Sequence, residues 1–323
     1  MNDQRIAGLA LRRTSGPPRL TLGTMNFGGR TQEPEARAII ERAFERGVRV
    51  LDTANMYEEG ESERIIGRAI AGRRDDFVLV SKVGLGRVAG RSEGLGANAV
   101  GRACEASLTR LGTDVLDVYY LHAPDPRTPI TETLGAIKAL LEAGKIRAWG
   151  VSNYASWQIL EMFEVCQRIG LARPVMSQVI YNLLVRQIET EYTRFAASYQ
   201  LHTTVYNPLA GGLLSGRYQP GSSIDKGSRF DGNARYQRRY WSERLLELTA
   251  RYAALAPELG LVTLSYAWLA QRPWVDSILV GPGTVAHLDA AIDGVACALP
   301  GALMKQIDET HYRHLGTDAS YAR

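Results

Sequence analysis

The sequence predicts an α/β fold, and within that class a (β/α)8 barrel with long loops over its C-terminal mouth. Eight short runs rich in β-branched and aromatic residues alternate with amphipathic segments over almost the whole chain, which is typical of repeated βα units. Several of these runs end on ionisable residues, where parallel sheets place their active sites. The predicted strands are Leu20–Met25, Val48–Asp52, Phe77–Lys82, Leu116–Leu121, Ala148–Val151, Val175–Val179, Thr203–Tyr206 and Ser277–Val280.

The segments between these strands have helical periodicity. Glu35–Phe44 carries apolar residues at the spacing of one helix face, and Ile130–Ala143 ends at Gly144, a residue typical of helix C-termini. Eight strands with intervening helices in about 250 to 320 residues favour the closed barrel. A doubly wound nucleotide-binding sheet is the rival, but Gly23–Gly29 after the first strand lacks the G-x-G-x-x-G spacing of that fold.

Two long connections interrupt the alternation. Gly84–Gly96 is rich in glycine, and Gly211–Tyr240 contains five arginines. Because both follow strands, we expect both to lie over the barrel mouth. We also expect residues 1–18 to be an N-terminal extension that is partly disordered, and residues 19–323 to form a single domain.

Composition excludes several classes of protein. The chain of 323 residues is 45% hydrophobic with a formal charge of +4, and it has no basic block that would indicate nucleic-acid binding. No run approaches the roughly 20 apolar residues of a membrane span, and the N-terminus lacks a signal-peptide core, so the expected location is the cytoplasm.

Cysteine and histidine spacing argues against a metal site. Cys104, Cys166 and Cys297 are odd in number and widely separated, which predicts neither a zinc site nor a disulfide framework. His311 and His314 lie three residues apart, but no third ligand accompanies them. We therefore expect no metal.

Four residues at or just beyond the ends of three consecutive predicted strands form a candidate catalytic set: Asp52, Tyr57, Lys82 and His122. Reducing a carbonyl needs an acid that protonates its oxygen, and a lysine beside a tyrosine is expected to lower the pKa of the phenol. A buried lysine needs a carboxylate partner, for which Asp52 is the candidate. His122 can donate a hydrogen bond to the carbonyl oxygen. Each residue alone has an ordinary structural explanation, but their joint occurrence predicts a carbonyl-reducing site.

The chain resembles the aldo-keto reductase superfamily in the motifs that carry these residues, Leu51–Tyr57, Val80–Val83, Val118–His122 and Gly150–Tyr154. Within it, the chain is most similar to the aflatoxin-aldehyde and succinic-semialdehyde reductase branch, through Leu121–Asp125, Ser152–Trp157, Arg186–Glu191, Tyr206–Tyr218, Arg229–Asn233 and Arg238–Trp241. The resemblance implies a (β/α)8 barrel that uses NADPH, with Tyr57 as the acid, Asp52 and Lys82 as its tuning pair and His122 orienting the carbonyl.

The resemblance also implies a set of cofactor-binding residues. Ser152, Asn153 and Gln178 match the residues that bind the nicotinamide carboxamide, and Tyr206 matches the aromatic residue that stacks on the ring. Further matches around the nicotinamide and pyrophosphate are Thr24, Met25, Asp52, Asn207, Pro208, Leu209, Gly211 and Arg217.

The adenosine 2′-phosphate site of the family corresponds to the segment from Gly281 to His287. Thr284 fits the hydroxyl position, but Gly283 and His287 stand where many relatives have basic or amide residues. NADPH is therefore the expected cofactor, with NADH as the alternative.

Substrate residues are indicated less directly. Tyr57 and His122 would contact the carbonyl, and Arg229, Arg239 and the C-terminal Arg323 match arginines that hold a substrate carboxylate in this branch, which suggests carboxylate-bearing or dialdehyde substrates. Two alternatives stay open. One is a non-catalytic, dinucleotide-binding redox sensor or regulatory subunit, and the other is a ketone reductase dedicated to one pathway. Relatives in this branch also suggest a homodimer.

Overall fold

A computed structural model of the chain describes residues 13, 15–88, 90–317 and 321. The predicted extension over residues 1–18 therefore lies largely outside the described residues. Eight strands, numbered β1 to β8 in chain order, form one closed parallel barrel. They are β1 Arg19–Gly23, β2 Val50–Asp52, β3 Val78–Val83, β4 Leu116–Leu121, β5 Ile146–Ser152, β6 Met176–Ile180, β7 His202–Tyr206 and β8 Ser277–Val280.

Each strand pairs with its sequence neighbours, and β8 returns to β1 to close the barrel. The register aligns Asp52 of β2 with Val80 of β3, and Lys82 of β3 with Tyr120 of β4. The predicted fold class is confirmed, and all eight predicted strands exist. The largest differences are at the strand ends, because hydrogen bonding to both neighbours extends β5 beyond its apolar run at each end.

Eleven α-helices surround the barrel in the described residues. They are α1 Glu33–Glu45, α2 Glu61–Ala69, α3 Ala97–Leu111, α4 Ile130–Glu142, α5 Ser156–Ile169, α6 Tyr192–Ser198, α7 Ala234–Tyr240, α8 Glu243–Leu255, α9 Leu261–Ala270, α10 Val285–Ala296 and α11 Gly301–Leu315. The helix predicted over Glu35–Phe44 corresponds to α1, which buries the predicted apolar face. The helix predicted over Ile130–Ala143 corresponds to α4, and Gly144 follows it with a left-handed φ of +67°.

Two apolar layers hold the fold together. The larger lies between the strands and the helices, while a small cluster inside the barrel contains Val80, Val118, Tyr120, Ala148 and Met176. Because the interior is packed with side chains, polar chemistry is confined to the two ends of the barrel.

Both long connections carry local structure and contact the C-terminal end of the barrel, as expected. The first contains a short antiparallel hairpin, Arg87–Val88 with Arg91–Ser92. The second begins with 3-10 turns over Ala210–Ser215 and ends in α7. Its Arg229 side chain donates a 2.5 Å hydrogen bond to Asn26, which follows β1.

The opposite, N-terminal end of the barrel carries a buried ion cluster. Asp117, at the start of β4, accepts hydrogen bonds from the backbone N–H of Leu79 (2.8 Å), from Arg74 (2.8 Å) and from Arg147. This cluster joins three segments of the chain at the N-terminal end of the barrel, where we expect interactions to stabilise the fold.

All three cysteines are free, with Cys104 and Cys166 buried. No group of three or more metal-ligating side chains is found among the described residues. None of the described helices is long and apolar enough to cross a membrane.

Candidate active site

Asp52 and Lys82 form a buried ion pair at the C-terminal end of the barrel. Asp52 closes β2 and Lys82 lies near the end of β3, so the register brings the two side chains together. The ammonium group donates to Asp52 Oδ1 and to the carbonyl oxygen of Thr53, the latter at 2.8 Å. Lys82 is 0% exposed and Asp52 is 1% exposed. Since neither charge reaches water, their pairing offsets the free-energy cost of burying the two charges.

The second oxygen of Asp52 binds a residue from the far side of the barrel. Gln178 Nε2, from β6, donates to Asp52 Oδ2 at 2.9 Å. Thr24, directly after β1, donates its hydroxyl to the carbonyl oxygen of Asp52 at 3.0 Å. Two residues predicted to bind the cofactor, Thr24 and Gln178, are therefore hydrogen-bonded to the predicted catalytic aspartate.

Tyr57 and His122 lie above this pair. The centre of the Tyr57 ring is 5.2 Å from Lys82 Nζ and 5.9 Å from the centre of the His122 ring, which it meets edge-on at 77°. A turn closed by the Tyr57 N–H on Ala54 O (3.1 Å) sets the start of the Tyr57 segment. All four predicted catalytic residues therefore meet in one place.

The electrostatics of Tyr57 differ from the expectation. Burial raises the pKa of its phenol above the ordinary value of 10.0, and the Lys82 charge opposes this rise without cancelling it. The expected lowering was wrong in its net direction, because removal from water penalises a phenolate more strongly than one ammonium group favours it. Tyr57 is consequently a protonated donor at neutral pH.

The two neighbours of Tyr57 have opposite shifts. Burial would lower the pKa of Lys82, but Asp52 and the Tyr57 oxygen raise it above its ordinary value, so Lys82 stays an ammonium group. Burial, with the charges of Lys82 and Arg235, holds the pKa of His122 well below 6.5. His122 Nδ1 is buried without a partner among the described residues. A neutral imidazole in this setting carries one N–H, which is available to a bound ligand.

The predicted carboxamide-binding residues Ser152, Asn153 and Gln178 lie together as a group of polar side chains beside the ion pair. Asn153 Nδ2 donates to Ser152 Oγ at 3.0 Å and to His122 O at 2.9 Å. Tyr206 donates its hydroxyl hydrogen to Asn153 Oδ1 at 2.6 Å, so its ring is held next to these polar side chains. With Gln178 they offer the amide and hydroxyl groups that a carboxamide requires.

The predicted pyrophosphate segment follows β7 in an unusual conformation. Asn207, Ala210, Gly211 and Gly212 all have left-handed φ values, from +49° to +108°. Such segments direct backbone N–H groups into one concavity, which favours anions. Asn207 Nδ2 is buried without a partner among the described residues. These features fit a dinucleotide phosphate, with Pro208 buried beneath the segment and Leu209 partly buried.

The segment predicted to contact the adenosine end is also formed. Thr284 caps α10 by accepting from His287 N at 3.3 Å. A Cβ atom added at Gly283 would lie 3.6 Å from the His287 ring, and one added at Gly281 would lie 3.9 Å from Gly23 O. Thr31 Oγ1 lies 3.4 Å from Gly283 O, so the loop after β1 forms the adjacent wall. The predicted Arg217 is exposed and lies 3.9 Å from Asp225. The predicted Met25 is 36% exposed at the mouth.

The three predicted substrate arginines have different positions. Arg229 lies over the Tyr236 ring, with its guanidinium carbon 5.3 Å from the ring centre. Burial raises the pKa of Tyr206 above its ordinary value, and the charge of the nearby Arg239 opposes this rise. Arg323 lies outside the described residues.

Sequence reasoning missed two residues of α7, Arg235 and Tyr236, as part of the site. Tyr236 donates to Asn207 Oδ1 at 3.4 Å and packs so closely on Gly211 that an added Cβ atom would lie 2.7 Å from its ring. The charge of Arg235, one residue earlier, acts on His122. Nothing local in the sequence distinguishes these residues from a solvated helix, since their contacts depend on how the long second connection folds.

A buried tyrosine beside an ion-paired lysine, with a segment suited to phosphate following another strand of the same (β/α)8 barrel, fits the class of dinucleotide-dependent oxidoreductases. A model of the aldo/keto reductase family matches residues 19–311. The chain belongs to that family and is an NAD(P)H-dependent aldo-keto oxidoreductase.

Individual relatives agree with this assignment. The human protein named aflatoxin B1 aldehyde reductase member 2 is 35% identical over 291 residues, covering 84% of this chain and 81% of the relative. A probable voltage-gated potassium channel subunit beta of Arabidopsis thaliana is 33% identical and covers 87% and 89% of the two chains. The holo form of an aldo-keto reductase from Bacillus halodurans superposes with a TM-score of 0.75 at 28% identity, covering 91% and 92%.

Proposed function

We propose that this protein reduces aldehydes or ketones to alcohols with NADPH, and that Tyr57 is the general acid. The observation that carries the proposal is the buried Asp52–Lys82 pair directly beside the Tyr57 phenol. The pair keeps an ammonium charge where negative charge would develop as the phenol gives up its proton. An exposed lysine would be hydrated and would contribute far less.

The proton moves from the Tyr57 hydroxyl to the carbonyl oxygen. Because burial raises the Tyr57 pKa, the phenol holds its proton at neutral pH until a stronger base, the developing alkoxide, lies beside it. The neutral His122 donates its ring N–H to the same oxygen and so orients the carbonyl. Tyr57 and His122 are thus the two residues that contact the reacting group.

A nicotinamide dinucleotide supplies the hydride when bound. Ser152, Asn153 and Gln178 would hold its carboxamide, and the left-handed segment from Asn207 to Gly212 would hold its phosphates. Thr284 and His287 would contact a 2′-phosphate, which supports NADPH over NADH. Neither residue offers the bidentate guanidinium contact that enforces a strict preference.

For the substrate, we propose an aldehyde that also carries a carboxylate or a second aldehyde. Arg239 beside Tyr206 and Arg229 in the second connection supply positive charge at the mouth. The human relative is named for its action on aflatoxin B1 aldehyde. We further propose a homodimer, which light scattering on the purified protein would test.

The test compares the wild-type protein with Tyr57→Phe. Fluorescence titration should give tight NADPH binding in both, whereas kcat for 4-nitrobenzaldehyde should fall about 10²- to 10⁴-fold in the variant. A parallel loss of NADPH affinity would contradict the role of Tyr57. Succinic semialdehyde tests the carboxylate, since Arg239→Ala should raise its KM without changing that of 4-nitrobenzaldehyde.

A second candidate function is suggested by the potassium channel relatives. The Arabidopsis thaliana protein named as a channel subunit is nearly as similar as the aldehyde reductase. A barrel of this kind could bind the dinucleotide and report its redox state to a partner. Tight NADPH binding without turnover of any carbonyl in an aldehyde and ketone panel would favour this function over reduction.

A further inference from the structure

The carboxylate of Glu93 sits in the first long connection, outside the residues assigned to the site. Its Oε1 accepts a 2.6 Å hydrogen bond from Asn55 Nδ2. Its Oε2 accepts from the backbone N–H groups of Gly84 at 2.8 Å and Gly86 at 3.2 Å. One side chain therefore binds two separate segments of the chain.

Those two segments carry the acid and its ammonium partner. Asn55 precedes Tyr57 by two residues, and its backbone N–H donates to Lys82 O at 3.2 Å. Gly84 follows Lys82 by two residues. The Glu93 carboxylate thus bridges the ends of the Tyr57 segment and of β3.

The Glu93 carboxylate fits closely against the backbone of Gly84 and Gly86. Gly84 has a φ of +114°, and an added Cβ atom there would lie 2.7 Å from Leu95. A Cβ atom on Gly86 would lie 2.9 Å from the Glu93 carboxylate. Only glycine permits both backbone N–H groups to approach the same oxygen in this way.

The Asn55 side chain depends on the same contact. Its Oδ1 is buried without a partner among the described residues, so the bond to Glu93 is the one that fixes its amide. Hydrogen bonds to a carboxylate are about twice as strong as those between neutral groups. Losing this one would release the segment that leads into Tyr57.

We infer that Glu93 is a positioning residue, which holds the Tyr57 segment against the end of β3 and thereby fixes the phenol relative to the Lys82 ammonium group. The inference rests on the proposed role of Tyr57 as general acid. It differs from a purely structural role of Glu93 in the hairpin, because it requires the environment of Tyr57 to change when Glu93 is replaced.

Kinetics of two variants test the inference. Glu93→Ala should lower kcat for 4-nitrobenzaldehyde about 10- to 100-fold, with KM and the NADPH Kd changed by less than about 2-fold, because a small misplacement affects the chemical step. Glu93→Gln should restore kcat to within about 3-fold of wild type. Its carbonyl can accept from both glycines, and its amide can donate to Asn55 Oδ1 once the Asn55 amide turns over.

A matched control is available in α4, whose Glu132 binds the residue that follows the same connection. Glu132 Oε1 accepts from the backbone N–H of Ala97 at 2.8 Å but has no contact with Asn55. Glu132→Ala therefore removes a carboxylate of the same kind and should leave kcat within about 2-fold of wild type.

A readout independent of turnover completes the test. In protein labelled with ¹³C-tyrosine, the resonance missing from Tyr57→Phe identifies Tyr57, and it should shift in Glu93→Ala but not in Glu93→Gln or Glu132→Ala. A folded Glu93→Ala with unchanged kcat and unchanged Tyr57 resonance would overturn the inference. If Glu93→Ala does not fold, Asn55→Ala keeps the glycine contacts and should shift the same resonance, and no shift would overturn the inference. A wild type that reduces no carbonyl would contradict the proposed function, while the resonance would still decide the role of Glu93.

Discussion

A buried, ion-paired aspartate lies at each end of the barrel, and the two sites differ in their partners. Asp117, at the N-terminal end, is bound by two arginines and a backbone N–H. Asp52, at the C-terminal end, is bound by Lys82 and Gln178 beneath a tyrosine. Arginine stays charged under nearly all conditions, whereas the charge of lysine and the proton of tyrosine respond to their surroundings. We therefore expect the first site to stabilise the fold and the second to serve the proposed catalysis.

Removing both charges of the catalytic site should produce the largest effect. In the double variant Asp52→Asn with Lys82→Met, we expect kcat to fall at least about 100-fold, because the ammonium group no longer stabilises the charge on Tyr57. Stability should stay close to wild type, since replacing a buried ion pair by neutral groups is often neutral. Steady-state kinetics and urea unfolding check the two expectations. A double variant that keeps its kcat would show that the Asp52 site does not differ in function from the Asp117 site.

Neutralising Asp117 should, by contrast, lower the stability of the protein and leave its turnover unchanged. Asp117→Asn leaves two arginines without their carboxylate, and their side chains are only 20% and 18% exposed. We expect a loss of about 2–3 kcal/mol in the free energy of unfolding, with kcat of the folded protein unchanged. The exposed Asp114 provides the control, since Asp114→Asn should change stability by less than about 0.5 kcal/mol. A large drop in kcat for Asp117→Asn would contradict the assignment.

Acid should weaken the folded state through two buried histidines, His122 at the C-terminal end of the barrel and His311 in α11. Burial lowers the pKa of His311 to about 4, and that of His122 lies well below 6.5. Because both pKa values lie below that of an unfolded histidine, the unfolded chain binds protons below pH 6.5 that the folded chain does not, so stability falls as pH falls from 6.5 toward about 4. We expect on the order of 1 kcal/mol between pH 6.5 and pH 5. Urea unfolding at both pH values measures it, and His311→Gln should make the dependence shallower. An unchanged dependence would exclude His311 as its source.

The smallest effect concerns backbone strain at the catalytic end. Glu58 and Glu59, directly after Tyr57, have φ values of +45° and +54°, and the left-handed residues Asn153, Asn207 and Ala210 also follow strands at this end. Strain of this kind is concentrated at functional sites. Glu58→Gly should stabilise the protein by about 1 kcal/mol, as measured by urea unfolding. Glu58→Ala keeps the backbone strain and should not increase the free energy of unfolding. An equal increase in Glu58→Ala would show that removal of the carboxylate, and not relief of strain, causes the effect.

Local signals were sufficient for the barrel and for the spatial cluster of the four candidate catalytic residues. Each strand run is short, apolar and bounded by turn residues, and Asp52, Lys82 and His122 lie at the strand ends themselves or directly after them. In a parallel barrel such ends must meet, so the sequence positions implied the spatial cluster. The direction of the Tyr57 pKa was not accessible in this way, because it depends on how completely the surrounding structure excludes water.

The sequence by itself determined the eight-stranded barrel, the family and the set of ionisable groups, since these depend on periodicity and on residues adjacent to strand ends. Only the tertiary structure decided that burial outweighs Lys82 at Tyr57, that Tyr236 packs against Gly211, and that Glu93 binds Asn55 together with two glycine N–H groups. Those contacts join residues from different loops. Loop conformation follows from long-range packing and hydrogen bonding, which no local pattern encodes.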